Sequence, residues 1–186
     1  MRLVVGIGNP GKEYLGTRHN AGFEVVERVA SRNAMAFERD RRLNAAVARG
    51  RVGSEEVWLV EPHTYVNLTG PVVSRLSRER ELPLEHVLLV VDDFNLPLGT
   101  VRLRAAGSAG GHNGMRSVVA ALGTEEFPRL RIGIGEAPPG GSVEFVLTRF
   151  RPSEKKTIED AYDRAADCVE DWVRLGTQAA MNRHNG

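Results

Sequence analysis

The chain has 186 residues, 41% of them hydrophobic and 26% charged, the size and composition of one soluble globular domain with its own core. A net charge of +1 excludes a strongly polycationic protein, yet Arg102, Arg104, Arg116, Arg129 and Arg131 face only Glu125 and Glu126 between Gly99 and Arg131, so a basic stretch hides in a neutral total. Cys168 is the single cysteine, which excludes an intrachain disulfide or cysteine-based zinc cluster and points to a cytoplasmic compartment; no run approaches the roughly 18 apolar residues of a membrane span, and MRLVVGIGNPG is broken too early for a signal peptide.

In chain order, Arg2–Ile7 reads as a first strand that runs into GIGNPGKEYLGTRHNAG. Gly6-Ile7-Gly8-Asn9-Pro10-Gly11 satisfies G-x-G-x-x-G. Dinucleotide binding, however, needs a helix opening inside the motif and an acidic residue ending a second strand about 20 residues on. Here Pro10-Gly11 leads into a loop, and Glu27 falls inside a helix expected over Asn20–Asn33. The glycines are therefore read as a turn that lets other groups approach the backbone. Ala45–Val52 and Val57–Glu61 read as a hairpin turning at Gly53-Ser54. PHTYVNLTG follows, then a helix over about Thr69–Arg80. Val87–Asp92 is a buried-looking strand leading into DDFNLPLG; Val101–Ala105 is the next strand, and GSAGGHNGMRS precedes a helix over Asn113–Leu122. Leu130–Ile134 is a strand, and β-branched Ser142–Leu147 is expected as a seventh. Ile158, Tyr162, Ala165, Val169 and Trp172 mark a long helix over Ser153–Thr177, with Ser153 at its N-terminus. Strands interleaved with helices give an α/β layer fold around one mixed sheet.

The four polar clusters lie at element ends, and if they converge at one sheet edge they make a cleft. His19, between Arg18 and Asn20, reads either as a capping or solvated residue or as a general base; the second role needs a carboxylate to fix its tautomer. Asp92 and Asp93 end a strand and are the suppliers. Neighbouring strand residues face opposite ways, so one alone reaches His19 and the other starts the Asn95-Leu96-Pro97 turn. Asn9 and Asn113 read as turn and helix-cap residues, or with Asn67 as neutral amides that hold a carbonyl and its oxyanion. Other hydrolytic routes are poorly served. There is no G-x-S-x-G elbow and no H-E-x-x-H, Cys168 sits among acidic residues, and His63, His86, His112 and His184 show no ligand spacing among themselves. Arg102 and Arg104 share one face of a strand, and with Arg131 they read either as a solvated sheet edge or as guanidinium groups suited to phosphate.

Tyr14-x-x-Thr17-Arg18-His19-Asn20-x-Gly22 and Gly110-Gly111-His112-Asn113-Gly114-Met115-Arg116 resemble the two signature segments of bacterial peptidyl-tRNA hydrolases. PHTYVNLTG and DDFNLPLGTVRLR are similar to that family's P-x-T-F/Y-M-N-x-S-G and D-D/E-L-D-L-P-x-G segments, and RLRIGIG also matches, colinearly over essentially the whole chain. The resemblance implies a single-domain, three-layer α/β sandwich over residues 1–186 with a twisted mixed sheet, working as a monomer without cofactor or metal. It implies His19 as the base, Asp92 as its orienting partner, and Asn9 as the group that tells a blocked peptidyl amine from a free one. It places Tyr14, Tyr65, Asn67 and Asn113 against the tRNA 3′ end and peptide backbone, and Arg102, Arg104 and Arg131 against tRNA phosphates. Val66, Asn95 and Thr69 depart from the family's usual Met, Asp and Ser, which touches packing or affinity and no catalytic group. A non-catalytic RNA-binding relative and a dinucleotide enzyme are the rival readings; retention of His19, Asp92, Asn9, Asn67 and Asn113 together argues against the first.

Overall fold

Leu3, Val4 and Val5 are all wholly buried, which a strand achieves only when both of its faces are covered. In the computed structural model, which describes residues 1–186, they belong to β1 (Arg2–Gly6), the middle strand of a sheet ordered β2-β3-β4-β1-β5-β7-β6. β4 (Glu55–Pro62) and β5 (Val87–Asp93) flank β1 in parallel, and β7 (Arg129–Gly133) continues in parallel beyond β5. β3 (Ala45–Val52) pairs antiparallel with β4 through a turn at Gly53-Ser54, as the hairpin reading expects. β6 (Val101–Arg104) closes one edge antiparallel to β7, and β2 (Phe37–Asp40) closes the other against β3.

Alternation sorts the side chains into two cores. Val4, Leu59, Leu88, Val90, Leu130 and Ile132 pack with α1 (Ala21–Arg32), α5 (Lys155–Leu175) and Ala180 of α6 (Thr177–His184). Leu3, Val5, Leu89 and Val91 pack with α2 (Thr69–Glu79) and α3 (Asn113–Leu122) on the other face. This is the expected three-layer α/β sandwich.

Three elements depart from the sequence reading. Ser142–Leu147 is not a strand: α4 (Ser142–Val146) is a short helix, whose three-residue spacing turns both Val143 and Val146 to one cleft. β2 carries only partly buried or exposed residues, so it shows no apolar alternation to read. The final helix starts later and breaks earlier than expected. Ser153 lies inside a 3-10 turn over Pro152–Glu154, and the backbone N–H of Arg151 donates to the Glu154 carboxylate at 2.7 Å. Gly176, at φ 84°, separates α5 from α6.

Because β1, β4, β5 and β7 run in one direction, their C-terminal ends open at the same edge of the sheet, where parallel α/β sheets place their sites. α1 is brought to that edge by backbone contact. A Cβ on Gly22 would stand 2.4 Å from Ile7 N and from Val90 O, and one on Gly6 would stand 2.4 Å from Gly22 O. Glycine at both positions lets helix and strands approach without side chains between them, and the 3-10 turn Arg18–Asn20 that precedes α1 is carried to the strand ends.

Candidate active site

The groove at that edge is walled by Asn9, His19, Tyr65, Val66, Asn67, Asn113, Val143, Val146 and Leu147, and counted to its open mouth it holds about 660 Å³, room for an organic ligand. Behind His19 it continues past Asp92, Phe94, Gly111, His112 and Ser142. All four polar clusters of the sequence contribute, joined by α4, which the sequence reading did not assign to the site.

His19 is 8% exposed. Its Nδ1 lies 2.8 Å from Asp92 Oδ1 and 3.0 Å from Oδ2, and its Nε2 has no partner within the chain. A carboxylate accepts only, so Nδ1 carries the ring proton and Nε2 presents a lone pair. Burial pulls the imidazole down, but the charge and hydrogen bond of Asp92 outweigh it and leave His19 above its ordinary value. Asp92 is wholly buried; burial pushes its carboxyl up, and His19 and His112 more than reverse this, holding it well below the usual carboxylate range. Asp93 points away from His19, as strand alternation requires: it accepts from Asn95 N at 2.8 Å and stands 2.9 Å from Arg131 Nε.

Asn9 joins two loops. Its Oδ1 accepts from Val66 N at 3.0 Å, which orients the amide and leaves Nδ2 as an unused donor on the groove wall. Asn20, buried and missed by sequence reasoning, fixes that loop: its Oδ1 accepts from Asn9 N at 2.9 Å and its Nδ2 donates to Asn9 O at 3.0 Å. Tyr65 is 61% exposed at the rim, and Asn67 and Asn113 are exposed on the walls. Tyr14 is half-buried in a 3-10 turn outside the groove lining.

Two further residues escaped the sequence reading. Arg18 is buried between Phe145 and Phe150, bonds Ile134 O at 2.9 Å and pairs with Glu154 at 2.8 Å, which ties the α4 segment to the His19 turn. His112 caps α3: its Nδ1 accepts from Met115 N at 3.1 Å, and its Nε2 stands 2.9 Å from Asp92 Oδ1. The helix-cap reading of Asn113 is thus corrected by one residue. The absence of ligand spacing concealed His112 because its neighbours come from β5 and the His19 turn. The ligating atoms of His19, Asp92 and His112 lie within 4.8 Å of one another. Their distances are those of hydrogen bonds, and a metal there would have to displace both ring protons.

Arg102, Arg104, Arg129 and Arg131 share one sheet face, because Arg102 is opposite Arg131 and Arg104 opposite Arg129. Arg129 is buried and spent on carbonyls of Gly107, Ser108, Glu125 and Phe127; burial and Arg131 lower it to about 10. Arg102 donates to Asn185 O, Arg131 pairs with Asp93, and Arg104 is exposed. Cys168 is buried, and burial with Asp171 and Asp167 pushes its thiol up to about 12, which bears out its exclusion as a nucleophile.

The peptidyl-tRNA hydrolase family profile matches residues 3–186. The chain belongs to that family. Peptidyl-tRNA hydrolases of Syntrophomonas wolfei and Chloroflexus aggregans are 47% and 48% identical to it, covering 100% of this chain and 100% and 99% of their own. The crystal structure of peptidyl-tRNA hydrolase from Acinetobacter baumannii superposes with a TM-score of 0.93 at 35% identity over 100% of this chain and 95% of that one. The family is one of translation enzymes, so the chain is a hydrolase with peptidyl-tRNA as its substrate. The dinucleotide reading of Gly6–Gly11 gives way to the backbone packing of α1 described above. No helix is long and apolar enough to cross a membrane.

Proposed function

We propose that the chain cleaves the ester between the last residue of a peptide and the tRNA 3′ end by water activated at His19, releasing free tRNA. The observation that carries this reading is the His19–Asp92 pair, with Nδ1 engaged at 2.8 Å and Nε2 unpartnered in the groove wall. His19 takes a proton from water as it adds to the ester carbonyl, then returns it to the leaving 3′ oxygen. An aminoacyl ester is already an activated acyl compound, so a base, positioning and a neutral donor suffice. Asn9 Nδ2 is that donor, and its second N–H can also donate to the acyl carbonyl that blocks the peptide amine and that a free amine lacks. Asn67 and Asn113 read peptide backbone and the splayed 3′ end, and Tyr65 offers a ring on which a base can stack. Amides that address backbone accept many peptide sequences. Arg102, Arg104 and Arg131 meet tRNA phosphates beyond the groove, while Tyr14 could touch substrate only outside its lining. The chain acts as a cytoplasmic monomer, without cofactor or metal.

The test compares hydrolysis of N-acetyl-aminoacyl-tRNA and free aminoacyl-tRNA in EDTA, with His19→Ala as control. Cleavage of the blocked substrate alone, reduced about 10²–10⁴-fold in the variant, is expected. Full activity of His19→Ala would remove His19 from the mechanism. Binding of tRNA without cleavage by the unaltered chain would replace the enzyme with an RNA-binding relative.

A further inference from the structure

The mechanism above uses one of the two imidazoles that touch Asp92. The other, His112, is 5% exposed and more constrained than His19. Its Nδ1 accepts the backbone N–H of Met115 at 3.1 Å. A backbone N–H can only donate, so Nδ1 is bare and the single ring proton sits on Nε2. That Nε2 stands 2.9 Å from Asp92 Oδ1, the oxygen that also lies 2.8 Å from His19 Nδ1. The two ring centroids are 4.8 Å apart.

We propose that His112 is a positioning residue: locked as one tautomer by the start of α3, it takes a share of the Asp92 carboxylate and so limits how strongly that carboxylate holds a proton on His19. This rests on His19 being the general base. The physical need is clear. A buried aspartate whose only partner were His19 would stabilise the imidazolium, and an imidazolium has no lone pair for water. A second donor on the same oxygen weakens the acceptor and brings His19 back toward the neutral form. It also pins the carboxylate's rotation, because the cap anchors His112 to helix backbone.

The remaining ionisable groups around the pair do not supply this effect. On α5, Tyr162 faces Asp92, but burial pushes its phenol far up and keeps it neutral. Arg18, beside His19, is turned to Glu154 and Ile134 O. Asp93 is paired with Arg131 on the opposite face. Glu144 of α4 is exposed.

The test separates the cap from the charge. Asparagine and serine cap helices well, but neither is long enough to cap α3 and reach Asp92 as well. His112→Asn and His112→Ser are therefore expected to stay folded and to raise the His19 titration midpoint, read by NMR of the imidazole, by about 0.5–1 unit. The acid limb of kcat/KM moves up with it. In an Asp92→Ala background the same substitutions leave the His19 midpoint where that background sets it. A folded His112→Asn or His112→Ser with an unmoved midpoint overturns the proposal, as does a shift that persists without Asp92. The NMR readout needs no turnover. If the midpoint shifts but the chain cleaves no ester, the general-base reading has failed and the coupling of the two rings has not.

Discussion

Asp92→Asn changes one charge and almost no volume, and it exposes how much the site depends on that charge. In the native site Oδ1 lies 2.8 Å from His19 Nδ1 and 2.9 Å from His112 Nε2, with Oδ2 3.0 Å from His19 Nδ1. An asparagine places an N–H where an acceptor stood, against one imidazole N–H or both. The cheapest relief moves the His19 proton to Nε2, the nitrogen that the proposed mechanism needs bare to accept from water. The expected loss is about 10²–10⁴ in kcat, on the order of 3–5 kcal/mol of transition-state stabilisation. The pH profile supplies a second, independent sign. Asp92 supplies the effects that raise His19, while burial lowers it, so the variant's acid limb should fall below the ordinary 6.5. Stability follows the same linkage. The raised His19 contributes stability that is complete below its unfolded value of 6.5 and lost as pH rises through its folded value. The depressed Asp92 contributes above 3.8 and loses it as pH falls. The pair therefore stabilises most between these two values, where Asp92→Asn should flatten the dependence of Tm on pH. Hydrolysis of N-acetyl-aminoacyl-tRNA from pH 5 to 9, with melting curves over the acid range, checks both. A kcat within a few-fold of native and an unmoved acid limb would refute the role of Asp92.

Three further expectations come from other parts of the molecule. Glu61 is buried under α1 with Oε1 unpartnered, and burial together with Glu27 pushes its carboxyl up to about 8; its protonated form is favoured by the fold, so stability falls as pH rises from about 4.5 toward 8, and Glu61→Gln should raise Tm at pH 8 by a margin that vanishes near pH 4.5, representing on the order of a few kcal/mol. Equal Tm gains at both pH values would contradict this. Gly22→Ala puts a Cβ 2.4 Å from Ile7 N and Val90 O and should cost more than about 3 kcal/mol in urea unfolding, with a near-native variant ruling out the backbone contact. Arg104→Ala, alone or with Arg102→Ala, should raise KM for full-length tRNA, spare a minimal 3′-end substrate, and reduce the salt slope by about one per lost phosphate contact; equal losses on both substrates would place these arginines elsewhere in the reaction.

Local pattern carried much of this protein. Apolar alternation, glycine turns and helical spacing placed six strands, four helices and the Gly53-Ser54 hairpin within a few residues of their positions. They also put His19, Asn9, Asn67 and Asn113 at element ends, and the alternation of Asp92 and Asp93 correctly required that only one reach His19. These are properties of neighbours along the chain, which a sequence displays directly. What tertiary structure alone decided are the relations between distant segments. The β-branched residues of Ser142–Val146 favour a strand in isolation, yet they form α4, where Val143 and Val146 wall the groove and Phe145 packs on Arg18. The helix cap moved from Asn113 to His112 because only the folded chain brings the Asp92 carboxylate, 20 positions away, to the other nitrogen of that ring. The polar residues buried without local signal, Arg18 and Asn20, follow the same rule. A polar side chain is tolerated inside when partners from other elements meet it, and those partners exist only once β1, β5 and the helices have been laid side by side.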